Sequence, residues 1–266
     1  MRKLRYYLRI HRVLIKQDIK RVLEYRGDFI TGILAVGAIH VTVFITLGIT
    51  FSQIPHLMGW SYAEVLFIYG YARLIKALQV LLFNNLWGFA YGTVRSGDFD
   101  RYLIRPVSPL FHVLFERFSL ESISELTAGI VALSIALKDL PLNLHVGNIA
   151  LFICILPFSL LTQVGSMLLP CSAAFWTKRS GNIVGMANRF ADLGANPANV
   201  YARVVRESIT YVFPVAFIAY YPCVYFLRGE NPLFNLGGTV IAGVLLFSAA
   251  VFFFNRGIKI YESAGS

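Results

Sequence analysis

Charge is scarce in this chain of 266 residues: 14% are Asp, Glu, Lys or Arg, against 57% hydrophobic, and the mean hydropathy is +0.64. A water-soluble domain of this length carries about a quarter charged residues, so the deficit excludes an ordinary soluble fold and makes a bilayer the solvent. Cysteine is scarce too. Cys154, Cys171 and Cys223 are odd in number and sit in or beside apolar stretches, which argues against a disulfide framework or a metal knuckle. Nothing matches G-x-x-x-x-G-K-[ST], so the chain has no ordinary phosphate cradle for ATP. His11, His40, His56, His112 and His145 are scattered, with no H-E-x-x-H pair, and no G-x-S-x-G elbow is present. No catalytic residue, metal ligand or bound cofactor is therefore expected on this chain. The first 28 residues lack a short apolar core with a small-residue cleavage site, so no cleavable leader is expected.

Long apolar runs are abundant. An all-α membrane protein is expected, with six spans at 29–51, 62–85, 111–137, 148–176, 209–227 and 236–254, each near the length needed to cross about 30 Å of hydrocarbon. Before them, residues 1–28 read as an amphipathic interfacial helix. Arg2, Arg5, Arg9, Arg12, Lys16 and Lys20 recur at helical spacing opposite Leu4, Leu8, Ile15, Ile19 and Val22, the pattern of a helix lying among lipid headgroups. Pro157 and Pro170 should kink the fourth span, and the fifth holds Pro214 and Pro222 with an aromatic belt of Tyr220, Tyr221 and Tyr225. Residues 177–208 read as a loop of interfacial helices, and 255–266 as a tail. On this layout one side of the membrane carries nineteen Lys and Arg and the other two. That asymmetry places both termini in the cytoplasm and accounts for the net charge of +10 without nucleic acid.

Charge inside the spans is sparse and therefore informative. Arg73 and Lys76 lie one turn apart near the middle of the second span, at a cost of roughly 2.5–3.5 kcal/mol each unless paired or wetted. The third span carries Arg117, Glu121 and Glu125. Arg117 and Glu121 can pair within a helix. Equal depth on antiparallel neighbours pairs Arg73 with Glu125 and Lys76 with Glu121. A structural pairing suffices to explain these groups, and an ion or proton relay in an ATP-independent secondary transporter is the competing use. No repeat relates residues 29–137 to 148–254, which weakens that alternative.

Between the second and third spans lies a charged, turn-rich island, Gly97-Asp98-Phe99-Asp100-Arg101-Tyr102-Leu103-Ile104-Arg105-Pro106-Val107-Ser108-Pro109. Gly97 and Asp98 can start a short helix, with Asp98 as cap, and the prolines stop it. The island, continued by Leu110, resembles the G-x-F-D-R-x-L-x-R-P-x-x-P-L signature of bacterial type-2 ABC exporter permeases. Gly59-Trp60-Ser61, Asn85-Leu86-Trp87, Pro214 with Tyr220-Tyr221-Pro222, and Tyr261-Glu262-Ser263-Ala264 agree with the same family. The resemblance implies a permease subunit of the bacterial inner membrane, working as a dimer with a like or paralogous chain. It also implies a separate ABC ATPase, carrying ATP and Mg, that docks on a coupling helix formed here by Gly97, Asp98, Asp100, Arg101, Arg105 and Pro106.

Overall fold

The computed structural model describes residues 13, 15–141 and 145–262. The basic positions Arg2, Arg5, Arg9 and Arg12, with Leu4 and Leu8, lie outside the described residues, as do Ser263 and Ala264. Among the described residues every regular element is helical, apart from one isolated bridge between Leu57 and Trp60.

A helix at 15–24 (α1) bends at Tyr25 into α2 (Arg26–Gln53), and α3 (Tyr62–Phe83) returns. The start of α3 is set by a reciprocal cap: Glu64 N–H donates to Ser61 Oγ at 3.3 Å, and Ser61 N–H donates to Glu64 Oε2 at 2.8 Å. A further turn and a π-helical stretch (Asn85–Gly88, Phe89–Thr93) carry the chain to the island, where α4 (Asp100–Leu103) and α5 (Pro109–Phe115) follow. Then come α6 (Ser122–Asp139), α7 (Val146–Ser172) and α8 (Gly181–Asp192). After 3-10 and π turns, α9 (Tyr220–Arg228) and α10 (Gly238–Ile260) complete the described chain.

Among the described residues, four stretches are long and apolar enough to cross a membrane: Arg26–Gln53, Tyr62–Phe83, Val146–Thr177 and Leu233–Ile260. Two of the expected spans are built differently. Residues 111–137 do not form one helix, because the chain unwinds between Phe115 and Ser122. The unwound turn is held from two sides: Phe118 N–H donates to Asp18 Oδ2 of α1 at 2.7 Å, and Ser119 N–H donates to Leu81 O at 3.2 Å. Residues 209–227 likewise form three pieces, Ser208–Val212, Val215–Ile218 and α9. Pro214 supplies no N–H and ends the first of them.

The largest departure concerns residues 177–208, expected as a loop at the island end. Ser180 does sit there, its N–H donating to Ala90 O at 3.0 Å. The chain then climbs alongside α3, with Asn188 at Lys76, Asp192 at Arg73, and Asn199 at Trp60, beyond the start of α3. This segment is a wall of the bundle. Its glycines and mixed polarity hide it from a hydropathy reading, because its polar residues face the cations of α3.

Close helix pairing relies on small residues. A Cβ on Gly70 of α3 would lie 2.9 Å from Leu133 Cγ of α6, and one on Gly129 of α6 would lie 3.0 Å from Gly70 O. Gly165 of α7 approaches Phe247 N of α10 in the same way, at 2.9 Å.

Candidate functional site

Two groups of residues carry polar chemistry. The first is the island. Its short helix is anchored by two aromatic side chains: Phe99 is fully buried, 5.0 Å from Phe175 and 5.0 Å from Tyr261, and Tyr102 stacks on it at 5.6 Å. The Tyr102 hydroxyl donates to the Glu116 carboxylate, which also accepts from Asn85 Nδ2 at 3.3 Å. Burial, with that carboxylate adjoining, pushes the Tyr102 phenol well above its ordinary value and keeps it a donor.

Asp98 does not cap the helix. Phe99 occupies the cap position, with no side-chain hydrogen bond, while Asp98 accepts from Ser96 Oγ at 2.7 Å and from Arg101 at 2.6 Å. The reason is Gly97, whose φ of +75° turns the chain so that Asp98 faces its neighbours at i−2 and i+3 instead. Arg105 Nη1 donates to His112 Nε2 at 2.6 Å. Burial, opposed by Glu116 and aided by Arg105, holds the His112 imidazole below its ordinary value, so it stays a neutral acceptor. Asp100 occupies the first turn of α4. Facing out are Arg101, Leu103, Arg105, Pro106 and Ile104, the last 82% exposed. The outcome is an apolar and basic knob on a rigid aromatic base.

The second group lies inside the bundle. Arg73 bridges Glu125 of α6 at 3.4 Å and Asp192 of α8 at 3.0 Å. Glu125 also meets His40 Nε2 of α2 at 3.3 Å, and His40 Nδ1 lies 2.7 Å from the Tyr69 hydroxyl. Four helices thus meet around one guanidinium. Lys76 is not paired with Glu121; its ammonium donates to Asn188 Oδ1. The unwound turn before α6 explains the miss: it carries Glu121 away to a small groove beside α1 and α2, with Arg21, Tyr25 and Asp28. Arg117 is exposed on the same turn and, among the described residues, forms no ion pair with Glu121.

His40, Asp192, Asn188, Asp18 and the island partners His112 and Glu116 were not nominated by sequence. His40 carried a usable signal, being the only titratable side chain within an otherwise uncharged run of 23 residues at 29–51. Asp192 and Asn188 carried none, since their segment read as a loop. Among the described residues no cluster of His, Cys, Asp or Glu fits a metal ion.

Long apolar helices around an internal ion-pair clamp define a multi-pass membrane protein. The sequence profile of the ABC-2 family transporter proteins matches residues 38–265, nearly the whole chain. The chain belongs to that family and is the membrane permease component of an ABC transporter, not its nucleotide-binding domain. Such permeases typically work with an ABC ATPase. No curated protein matches this chain.

Proposed function

We propose that this chain is the permease of an ABC exporter in the bacterial cytoplasmic membrane, energised by a separate ATPase that binds ATP and Mg and docks on residues 97–109. The observation that carries the docking site is the knob itself. Leu103 and Ile104 stand exposed between Arg101 and Arg105, while Phe99 beneath them is fully buried. A push on such an element is transmitted, not absorbed, because its base packs on Phe175 after α7 and on Phe254 of α10 through Phe89.

The membrane is crossed six times in this reading, by 26–53, 62–83, 122–139, 146–177, 181–200 and 233–260. Both termini then face the cytoplasm. With the fifth crossing moved, fourteen Lys and Arg lie beyond the membrane at the island end and three at the other, which keeps the positive-inside bias. Two permeases, alike or paralogous, form the working dimer, and the opening between them is the route. The internal cluster acts as a clamp: Arg73 is paired with both Glu125 and Asp192, which supports a structural role over an ion relay.

The test is reconstitution with the partner ATPase. Reversing Arg101 and Arg105 to Glu should leave the permease folded in the membrane and reduce ATPase association by ~10-fold or more. Undiminished association and transport in that variant would remove the docking assignment.

A further inference from the structure

At the end of the bundle opposite the island, a cavity of about 430 Å³ opens between four helices. That volume is within the range of small-ligand pockets, roughly 300–1,000 Å³. Phe67 of α3 and Phe152 of α7 form its inner wall, Leu133 and Leu137 of α6 one side, and Phe226 and Leu227 of α9 another. All lie within about two turns of the helix ends at which Trp60, Glu64 and Arg228 cluster. The position is that of the outer membrane leaflet in the six-crossing layout.

The pocket is held open by construction. Phe152 contacts Tyr71 at 5.2 Å and Phe226 at 5.2 Å, both edge-on, so its ring is fixed from two sides. Tyr71 is itself tied to Ser159 Oγ at 3.0 Å. α9 stops at the rim, because Gly229 turns left-handed at φ +67° and its N–H closes on Tyr225 O at 2.8 Å. The helix therefore cannot extend across the opening. Pro141, at the rim, lies two residues beyond the end of α6. Arg228, the nearest cation on α9, points away: it stacks over Trp60 at 3.6 Å and donates to Glu64 Oε1 at 3.1 Å.

We infer that this cavity seats one acyl chain of an outer-leaflet phospholipid. Its walls are mainly hydrocarbon and aromatic, with Asn148 the one amide side chain among them, and a mainly apolar cavity takes apolar occupants in preference to water. Its mouth opens where the bilayer presents acyl chains at high local concentration, so no soluble ligand needs to be delivered. Ile149 and Leu137 edge the mouth, 45% and 42% exposed. The seated chain touches α3, α6, α7 and α9 together. The site does not depend on the docking assignment, because it lies at the other end of the molecule.

The experiment uses the full chain in nanodiscs of phosphatidylethanolamine and phosphatidylcholine, a fraction of the lipid carrying a photoactivatable diazirine in one acyl chain. After irradiation, adducts are mapped by peptide mass spectrometry. Labelling at 133–141, 148–152 and 225–229 should saturate as the labelled fraction rises. Labelling of the lipid-facing residues Ile39 and Ile45 on α2 should rise in proportion. Ile149→Trp and, separately, Leu137→Trp, which fill the mouth, should lower pocket labelling ~10-fold while leaving α2 unchanged. Two variants guard against one failing to fold, and saturation in the wild type needs neither. Proportional labelling of pocket and α2 alike would overturn the inference. So would efficient disulfide formation between copies carrying Ile149→Cys, which would show a second protein chain over the mouth.

Discussion

α2 and α3 are neighbours of similar length with opposite relations to their surroundings. In its most apolar stretch α2 has 6% of its residues buried within the protein, and α3 has 72%. The more hydrophobic helix stands outside and the more polar one runs through the centre. In water that order would be reversed. In a bilayer, hydrocarbon solvates an apolar helix as well as a protein core does, so hydrophobicity gives α2 no reason to go inside. α3 is drawn in by what lipid cannot supply: partners for Arg73 and Lys76, and a close approach at Gly70. Burial in this protein follows polarity and shape more than greasiness.

The comparison is broken most severely at Arg73. Arg73→Leu leaves Glu125 and Asp192 facing one another without their shared cation and should cost about 3–5 kcal/mol, read as thermal unfolding in detergent. Adding Glu125→Leu should restore part of that loss, since one stranded carboxylate is removed. On α2, Leu34→Ala, at a position 66% exposed, should change stability by less than about 0.5 kcal/mol. Equal losses at Arg73 and Leu34 would mean that α2 is buried in the working assembly.

Glycine gives the next largest contrast. Gly70→Val forces new methyls into α6, where a Cβ already meets Leu133 N at 3.0 Å, and should cost about 1–3 kcal/mol. Gly37→Val on α2 meets nothing within 4 Å and should be neutral in the isolated chain. Loss of the proposed dimer without loss of fold in the Gly37 variant would mark α2 as its interface.

The smallest effect separates two cations on one helix. Lys76→Met forfeits a hydrogen bond to Asn188, worth about 1 kcal/mol, and removes the desolvation cost of an ammonium. These terms oppose, so the net change should stay within about 1 kcal/mol. A loss as large as that of Arg73→Leu would show that Lys76 neutralises a carboxylate in the folded protein.

The all-helical membrane class, the long apolar helices and the pairing of Arg73 with Glu125 were readable from sequence. Each depends on a local quantity, either hydropathy over about twenty residues or a count of turns from a shared hairpin. That count failed three residues further on, at Lys76 and Glu121, since it assumed an unbroken third helix. Asp18, a hundred positions away, accepts the N–H of Phe118 in the unwound turn, and no local pattern encodes that contact. The segment from Gly181 to Val200 failed for a related reason: its Asn188 and Asp192 look like loop residues until α3 places two cations opposite them. Composition thus determined the solvent, because transfer to hydrocarbon is summed residue by residue. Which helix stands inside, where the third breaks and what faces Lys76 were decided only in the tertiary structure, because a buried polar group takes its partner from whichever element reaches it.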